Sequence, residues 1–260
     1  MNGTNFPEKI RDFLGTRAYE TDTVGLSASE VLIFDDCVLK ISETAAPSVN
    51  EWRVMEQLHG KLPVPEVLCR ASENGREYVV MSRLDGEMSC AARYLDDVPA
   101  LVKGLAEGLT MLWNAPVSGD LTDFSLDNEL RDAESRIDTI DWDDKPDELR
   151  RQFPSARHLL DWLKENKPEE DCVLSHGDYC LPNVFLDNGR VSGFLDLGHC
   201  GTADRYRDIS LGLKSLKNNL GGVFGGPVRE GYDPAMLFDA LGEPMDEDKM
   251  RYYLLLDELW

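Results

Sequence analysis

The amino-acid sequence predicts an α+β fold of two lobes, a small N-terminal β-rich lobe followed by a larger, mainly helical C-terminal lobe. Short runs of β-type residues separated by turns fill the first third of the chain, whereas apolar residues recur at helical intervals in the rest. The pattern changes at Ser82-Arg83-Leu84-Asp85-Gly86, which is typical of a linker, so the expected domains are residues 1–84 and 85–260. A chain of 260 residues, 42% of them apolar, can bury a core of that size.

Composition narrows the class of protein. The formal net charge of −22 argues against a nucleic-acid partner, because phosphates would be repelled, and favours a cationic small molecule; simple solubility explains the charge equally well. Six scattered cysteines without a C-x-x-C pair are typical of reduced thiols. We find no signal sequence and no run of about 20 apolar residues, so we expect a soluble, cytoplasmic protein without a membrane partner.

The first lobe is predicted to be a sheet with one helix. Residues 23–30 form a turn of small residues that could lie over phosphates, but its single glycine does not match a glycine-rich phosphate-binding motif. Lys61-Leu62-Pro63-Val64-Pro65 ends the helix, since proline cannot continue it. The predicted elements are a hairpin of residues 31–34 and 37–41, a helix over residues 48–59, and strands over residues 66–70 and 77–81.

The second lobe is predicted to be built on helices. Apolar residues recur at intervals of three and four between Val98 and Trp113, which is typical of a helix buried on one side. The glycine-rich stretch of residues 221–227 is predicted to be a loop. Further helices are predicted over residues 127–140, 156–166, 205–219, 234–241 and 246–259.

Two carboxylates and a carboxamide surround a predicted β-hairpin in this lobe. A short apolar strand leads into His176-Gly177-Asp178, and strands over residues 184–186 and 191–195 are joined by a turn with the Asn-Gly signal of a tight hairpin. Asn183 enters the first strand and Asp196 leaves the second. The antiparallel pairing should therefore bring both side chains to the same end of the hairpin.

These residues fit phosphoryl transfer. The reaction needs a carboxylate to orient the acceptor hydroxyl, and an asparagine and a second carboxylate to hold the magnesium ions that neutralise phosphate charge. Asp178, Asn183 and Asp196 are the candidates for these roles in that order. Each alone is more often a turn or cap residue, but three of them in this order around a hairpin favour function.

Histidines and cysteines near these residues allow other interpretations. His176 could accept a proton, but because Asp178 is already the candidate base, we interpret His176 as a structural residue that braces the loop. A zinc site formed by His176, Cys180, His199 and Cys200 matches no common ligand spacing.

The stretch from Ser175 to Asp208, with the elements H-G-D, L-P-N, D-L-G and G-T-A-D-R-Y-x-D, resembles the bacterial aminoglycoside 3'-phosphotransferases. The similarity extends to residues 61–65 and to the terminal residues 252–260, so it covers nearly the whole chain. The resemblance implies a protein-kinase-like fold. It also implies transfer of the γ-phosphate of ATP, with Mg²⁺, to the 3'-hydroxyl of an aminoglycoside, a reaction that confers antibiotic resistance.

The resemblance assigns roles to five residues. Asp178 is the catalytic base, and Asn183 and Asp196 bind Mg²⁺. Lys40, at the end of the first hairpin, holds the α- and β-phosphates, with Glu51 on the following helix as its partner. A surface ion pair of negligible energy is the other interpretation of Lys40 and Glu51, although their places on strand and helix favour function.

The resemblance also assigns the nucleotide site. Ser27 corresponds to the small residue of the phosphate loop, and Met81, Ser82 and Leu84 belong to the hinge that hydrogen-bonds adenine. Val38 stands where some relatives stack an aromatic ring on the base. ATP is therefore the expected donor, with GTP as an alternative.

Carboxylates are expected to bind the ammonium groups of the acceptor, since each group needs a paired charge. By the resemblance they come from an acidic loop, which could equally be a solvated surface loop, and from the C-terminus. His199 stands where relatives often carry arginine. Lys214, Asn218 and Asn219 stand where relatives often present acids, which leaves the substrate range open. The candidate substrate residues are Asp141, Asp143, Asp144, His199, Asp257, Glu258 and Trp260.

Two alternative functions remain. A related kinase acting on a macrolide, choline or an amino-sugar would share the catalytic residues but need fewer acids around the acceptor. A catalytically silent nucleotide-binding protein is disfavoured, because it would not need the full set of Lys40, Glu51, Asp178, Asn183 and Asp196. We expect a monomer or a weak dimer.

Overall fold

The computed structural model describes residues 6–21, 29–117 and 120–260, and it confirms the predicted α+β fold with two lobes. In the described part of the first lobe, the strands form one antiparallel sheet in the order β1-β2-β3-β5-β4. These strands are β1 (Glu20–Thr21), β2 (Glu30–Ile33), β3 (Cys37–Glu43), β4 (Val67–Glu73) and β5 (Arg76–Ser82).

Strand β3 shows how the sheet positions its functional residue. Cys37, Leu39 and Ile41 are buried in an apolar cluster on one face of the sheet, which helix α1 (Glu8–Leu14) covers. Because side chains alternate along a strand, Lys40 lies on the opposite face. That face is the one on which helix α2 meets Lys40.

Helix α2 (Ala46–Leu58) has a defined start and a buried face. Ser48 Oγ accepts a hydrogen bond from Ala45 N at 2.9 Å, which satisfies a backbone donor that the helix leaves unpaired. Buried positions recur every three or four residues from Glu51 to Leu58. Glu51 therefore points inward with the apolar residues of the helix.

The second lobe packs its helices around one apolar core. Helix α4 (Val98–Trp113) lies within it, with Leu105, Leu109 and Leu112 almost fully buried, and Tyr179 donates a hydrogen bond to Leu105 O at 2.7 Å. Among the described residues, no helix has the length and apolar character that crossing a membrane requires. The other helices are α3 (Ala92–Leu95), α5 (Leu126–Arg136), α6 (Asp147–Gln152), α7 (Ala156–Glu165), α8 (Arg205–Leu220), α9 (Ala235–Leu241) and α10 (Glu247–Asp257).

Two small sheets of the second lobe carry the loops of the site. The predicted hairpin is confirmed: Asn188 and Gly189 have φ of 49° and 77°, as a tight hairpin turn with two left-handed residues requires. The two sheets pair β7 (Cys172–Ser175) with β10 (Gly201–Asp204), and β6 (Glu87–Met88) with β8 (Val184–Asp187) and then β9 (Arg190–Phe194).

Most predicted elements match the structure to within about two residues. The prediction of a continuous helix over residues 127–140 was wrong at its end, because α5 stops at Arg136 and Ile137–Thr139 forms a 3-10 turn. β-Branched residues and aspartate weaken a helix there. The domain boundary between residues 84 and 85 stays a prediction. The elements that the sequence did not predict are short: α1, α3, α6, β1, β6 and β10.

Candidate active site

Lys40 connects two carboxylates where the lobes meet. Its Nζ donates to Glu51 Oε1 on α2 over 2.8 Å and to Asp196 Oδ1, just after β9. The side chains of Lys40 and Glu51 are only 15% and 10% exposed, whereas that of Asp196 is 48% exposed. The cluster therefore fixes one ammonium group and presents one carboxylate to the cleft.

Burial and charge act in opposite directions in this cluster. Burial disfavours the charged form of Lys40, but attraction to Glu51 and Asp196 outweighs it and raises the pKa of the lysine. Burial raises the pKa of Glu51, although Lys40 acts against this. Lys40 is therefore a permanent cation at neutral pH.

Asp196 has a left-handed backbone conformation, with φ 55° and ψ 52°. Aspartate is among the few residues besides glycine that adopt this conformation readily. The backbone before it is fixed, because Leu195 N donates to Asn183 O at 2.9 Å. The chain then turns into the 3-10 turn Leu197–His199, so the conformation of Asp196 sets the bend at which its side chain meets Lys40.

A buried carboxylate holds the loop that carries Asp178. Asp208 on α8 is completely buried and accepts hydrogen bonds from His176 N at 2.6 Å and Gly177 N at 2.8 Å. Burial raises the pKa of Asp208, while the neighbouring His176 and the two backbone donors favour its charged form. The loop is thus tied to α8 by its backbone, which leaves the Asp178 side chain for other contacts.

Gly177 brings this loop into contact with the turn after Asp196. Its φ is +81°, and a Cβ atom built on it would lie 2.0 Å from His199 O. No side chain fits in that space. The two catalytic segments therefore pack backbone against backbone at this point.

Asp178 is bound by neutral groups alone among the described residues. Asn183 Nδ2 donates to Asp178 Oδ2 at 2.8 Å, and Cys180 Sγ donates to Asp178 Oδ1 at 3.0 Å. Burial, then the charge of Asp178, raises the pKa of the Cys180 thiol, so it stays protonated and acts as a donor. Because the amide nitrogen of Asn183 faces Asp178, its Oδ1 is left for another ligand.

His176 is packed inside the loop. It is completely buried, and its Nδ1 accepts a hydrogen bond from Asp178 N at 3.3 Å. Its ring makes edge contacts with Tyr179 and Phe194 at centroid distances of 6.0 and 6.1 Å. This position is that of a residue which shapes the loop.

A cavity of 190 Å³ lies beside Asp178. Helices α5, α8 and α10 contribute to its walls, together with the loop of Gly177 and the turn after Asp196. The polar and aromatic residues of its lining include Glu129, Asp178, His199, Arg207, Asp257 and Trp260.

Part of the predicted substrate set lines this cavity, namely His199, Asp257 and Trp260. The ring of His199 packs edge-on against Trp260 with the centroids 5.7 Å apart, and the guanidinium carbon of Arg136 lies 3.4 Å from the centroid of the Trp260 ring. Trp260 is therefore held at the cavity by an edge contact with His199 and a cation–π contact with Arg136.

The carboxylates at the C-terminus are paired with lysines. Lys214 on α8 lies 2.6 Å from Asp257 Oδ2 and 3.2 Å from Glu258 Oε1. Lys145 lies 3.2 Å from the other oxygen of Glu258. An ammonium group of a substrate would have to share or displace these internal cations.

The structure does not bring the predicted acidic loop to the cavity. Asp141, Asp143 and Asp144 are absent from its lining. Asp141 Oδ1 instead accepts a hydrogen bond from Asp143 N at 3.1 Å. Lys145, the next residue in the chain, pairs with Glu258 near the C-terminus.

The predicted hinge residues Met81, Ser82 and Leu84 lie at and just after the end of β5, an inner strand of the first sheet. Ser27 lies outside the described residues. Ser82 is the last residue of β5 and makes two hydrogen bonds with Glu66, each 2.9 Å long. Ser82 N donates to Glu66 O, and Ser82 Oγ accepts from Glu66 N. Met81 is paired in register with Val38, and Leu84 packs against Gly193. These contacts place the segment between the two lobes.

Sequence reasoning did not identify Asn50, which fastens α2 to the turn after Asp196. Its Nδ2 donates to Gly198 O at 3.0 Å and to Cys200 O at 2.9 Å, and its Oδ1 accepts from Thr122 Oγ1 at 2.7 Å. No local pattern marks such a residue. It is found only when the two segments are seen together.

The fold and the cluster together define a class of protein. A lysine on the sheet is paired with a glutamate on the next helix, and both face a loop with Asp178 and Asn183 and a second aspartate. This is the arrangement of a phosphoryl-transfer enzyme with a protein-kinase-like fold. Residues 20–245 match the family model APH, described as the phosphotransferase enzyme family. The chain belongs to this family.

Known relatives cover almost the whole chain. It is 34% identical to the aminoglycoside 3'-phosphotransferase of Niallia circulans over 98% of each chain, and 34% identical to that of Enterococcus faecalis over 92% of each chain. Among solved structures, an aminoglycoside-3'-phosphotransferase of type VIII superposes with a TM-score of 0.74 at 26% identity, covering 97% of this chain and 98% of the other.

Proposed function

We propose that this chain is an ATP-dependent aminoglycoside 3'-phosphotransferase, which transfers the γ-phosphate of ATP to the 3'-hydroxyl of a polycationic antibiotic. The observation that carries the proposal is the position of Asp178, which faces a cavity for the acceptor and has no cationic partner among the described residues. The full-length similarity to aminoglycoside 3'-phosphotransferases supports the choice of substrate.

Asp178 is proposed to orient the acceptor hydroxyl and to take its proton as the phosphate bond forms. Hydrogen bonds from Asn183 and Cys180 fix its carboxylate without neutralising it, which a general base requires. Lys40 is proposed to hold the phosphates of the nucleotide, and Glu51 keeps the lysine in place. Positioning and charge stabilisation supply most of the rate in such reactions.

Asn183 and Asp196 are the proposed ligands of Mg²⁺. Asn183 binds Asp178 through its amide nitrogen, which leaves its Oδ1 atom for another ligand, and the Asp196 carboxylate is half exposed. Both groups therefore fit a cation that prefers oxygen ligands. Mg²⁺ bound there would neutralise charge on the phosphates. ATP is the proposed donor and GTP the alternative, because Val38 offers only apolar contact to the base.

The proposal also includes the cellular location, the partners and the oligomeric state of the enzyme. We infer a cytoplasmic enzyme, because its donor is ATP and its six cysteines are free. The net charge of −22 supports a cationic small-molecule substrate and disfavours nucleic acid. We infer that the enzyme acts as a monomer or a weak dimer.

Coupled ATP turnover on kanamycin, neomycin, amikacin, a macrolide and choline tests the proposal. Kanamycin and neomycin should be phosphorylated, and tobramycin, which lacks the 3'-hydroxyl, should not. Phosphorus NMR of the kanamycin product should place the phosphate at the 3' position. Asp178→Asn should lower kcat by about 10² to 10⁴, the usual contribution of general acid–base catalysis, and leave the KM for ATP unchanged.

Asp161→Asn is a matched control, because Asp161 is an exposed carboxylate on α7 outside the cavity. It should turn over like the unaltered enzyme. Turnover of choline or the macrolide with none of the aminoglycosides would replace the proposed substrate. Full activity of Asp178→Asn would remove that residue from the role of base.

A further inference from the structure

The cavity beside Asp178 has a charged wall that the proposed reaction does not use. Glu129 on α5 and Arg207 on α8 both line it, and Arg207 Nη2 lies 2.8 Å from Glu129 Oε1. Their side chains are only 2% and 9% exposed. A buried ion pair adds little to stability, because desolvation offsets the attraction. Its place in the cavity wall points instead to a role in recognition.

Arg207 is held in a fixed position. Its Nη1 donates to His199 O at 3.3 Å, and its guanidinium carbon lies 4.7 Å from the centroid of the Phe124 ring. Together with Glu129, the guanidinium group therefore has three close neighbours. These contacts hold the positive charge at the cavity wall.

This ion pair does not present a net negative charge to a ligand. Burial raises the pKa of Glu129 to about 7, even though Arg207 acts against this. Glu129 is thus partly protonated at neutral pH, whereas an arginine stays charged. The Glu129–Arg207 pair is therefore neutral or positive, in a chain whose net charge is −22.

The charge of a second carboxylate in the cavity lining is also balanced by a side chain of the protein. Asp257 lies 2.6 Å from Lys214 Nζ, so it too has a cationic partner before any ligand binds. Of the carboxylate side chains that line the cavity, Glu129 and Asp257 are paired and Asp178 is not. Beyond Asp178, the carboxylate side chains in the lining therefore each have a cationic partner before a ligand binds.

Tyr253 on α10 adds an unsatisfied hydroxyl to the same wall. Its side chain lines the cavity and is 4% exposed overall, and its Oη has no hydrogen-bond partner among the described residues. A buried phenol without a partner is unfavourable, and a hydroxyl group of a ligand can satisfy it.

Building on the proposed function, we propose that Arg207 is a specificity-determining residue, which makes this cavity prefer an acceptor ring with a hydroxyl group over the same ring with an ammonium group. The hydroxyl group hydrogen-bonds to Tyr253 and to the Glu129–Arg207 pair. An ammonium group at the same point meets the fixed charge of Arg207 and finds Glu129 already paired. The acceptor is thus an aminoglycoside whose phosphorylated ring is poor in amino groups.

Matched antibiotics test this preference. Kanamycin A and kanamycin B differ only by a hydroxyl or an amino group at the 2' position, and paromomycin and neomycin differ in the same way at the 6' position. We expect the unaltered enzyme to have the higher kcat/KM for the hydroxyl member of at least one pair at about pH 8, where Glu129 is mostly ionised.

Substitutions of Arg207 and Glu129 then show whether the charge of Arg207 or its packing causes the preference. Arg207→Gln should shift the ratio of kcat/KM values toward the amino member by roughly tenfold, because Glu129 is left to pair with the ammonium group. Arg207→Lys keeps the charge and should keep the preference. The double variant Glu129→Gln/Arg207→Gln lacks the carboxylate and should gain no preference for the amino member.

Tyr253→Phe tests the hydroxyl subsite independently of the ion pair. It should raise the KM for the hydroxyl member and leave the KM for ATP unchanged. Tyr232→Phe is the matched control, because the Tyr232 hydroxyl is also buried without a partner among the described residues but lies outside the cavity.

A ratio that stays within about twofold in Arg207→Gln, in a folded enzyme with an unchanged KM for ATP, would overturn the inference and leave the proposed function standing. If Arg207→Gln does not fold, Tyr253→Phe decides, and an unchanged KM for the hydroxyl member rejects the subsite. Failure of the unaltered enzyme to phosphorylate any of the four antibiotics would overturn the proposed function, and this inference with it.

Discussion

Lys40 shows how one side chain can depend on three parts of the chain. Strand β3 positions it, Glu51 on α2 holds it, and Asp196 lies across the cleft from it. Removing the ammonium group would leave Glu51, which is 8% exposed, as a buried carboxylate without its counter-charge. Such a residue affects both the nucleotide site and the stability of the fold.

We therefore predict that Lys40→Ala lowers kcat/KM for ATP by about 10²-fold or more, since a charge is lost where the phosphates would bind. Lys164→Ala is the matched control: Lys164 pairs with Glu134 at 2.7 Å, but both side chains are exposed. That exposed pair should contribute little to stability and nothing to turnover. Coupled ATP assays of both variants test this prediction. If Lys40→Ala is as active as Lys164→Ala, Lys40 has no role at the phosphates.

Glu129 should make stability depend on pH. Burial holds its pKa at about 7 in the folded chain against an ordinary value of 4.5. Since the folded state binds this proton more tightly than the unfolded state, the contribution is favourable at pH values below the ordinary pKa and is lost as the pH rises through about 7.

The prediction is that Glu129→Gln, which cannot ionise, becomes more stable relative to the unaltered chain as the pH rises across this window. Urea unfolding of both proteins at several pH values from about 4.5 to 8 measures the difference. A constant difference in unfolding free energy would mean that Glu129 does not titrate there. A difference of opposite slope would mean that Arg207 lowers its pKa more than burial raises it.

Two loops that belong to different elements meet at Gly177. The loop after β7 and the turn after β9 approach so closely that a Cβ atom at residue 177 would lie 2.0 Å from His199 O. Gly189, in the turn of the β8–β9 hairpin, has a similar φ of +77° but open space around the same position. Substitutions at the two glycines therefore distinguish the effect of backbone strain from the effect of a steric clash.

Gly189→Ala should lower the free energy of unfolding by only about 1 kcal/mol, the usual strain of a left-handed residue. Gly177→Ala should lower it by more than about 3 kcal/mol and abolish turnover, because the clash pushes the Asp178 loop away from the turn after Asp196. Urea unfolding and turnover assays of both variants test this. Equal losses of stability would show that the close approach does not constrain the loops.

Local patterns explain why part of the site was predictable. Alternation along β3 and the three-to-four spacing of α2 place Lys40 and Glu51 on their elements, and the Asn-Gly turn brings Asn183 and Asp196 to one end of a hairpin. These relations depend on residues close in sequence. They can be read without knowing how the lobes pack.

Contacts between distant segments could not be predicted in this way. Asn50 binds the backbone of Gly198 and Cys200, and Glu129 pairs with Arg207, yet neither pair has a local sequence signal. The acidic loop at residues 141–144 was predicted from the family resemblance and its charges, and neither fixes where the loop lies relative to the cavity. Short elements such as α1 and β10 were missed because tertiary packing, and not propensity, stabilises them.

The whole molecule combines a strongly negative net charge with a cavity whose own carboxylates are mostly paired. The charge of −22 acts over the distance at which a cation diffuses toward the protein, whereas Arg207 and Lys214 act only inside the cavity. Attraction of the substrate and choice of the substrate are therefore carried by different charges. This separation can be tested by screening the long-range charge alone.

Added salt should lower kcat/KM for the aminoglycoside, because screening weakens the attraction between a polycation and an acidic protein. Raising the ionic strength from about 10 mM to about 300 mM shortens the screening length from about 30 Å to less than 10 Å, so most of the long-range attraction is lost. Kanamycin B carries one more ammonium group than kanamycin A, so screening should lower its kcat/KM slightly more, and the ratio of kcat/KM for kanamycin A to that for kanamycin B should rise modestly with salt. With ATP as the varied substrate, salt should leave kcat/KM unchanged or raise it, because the nucleotide is an anion. If the aminoglycoside kcat/KM does not change with salt, the net charge serves only solubility; if the ratio falls with salt, discrimination depends on exposed charges and not on Arg207.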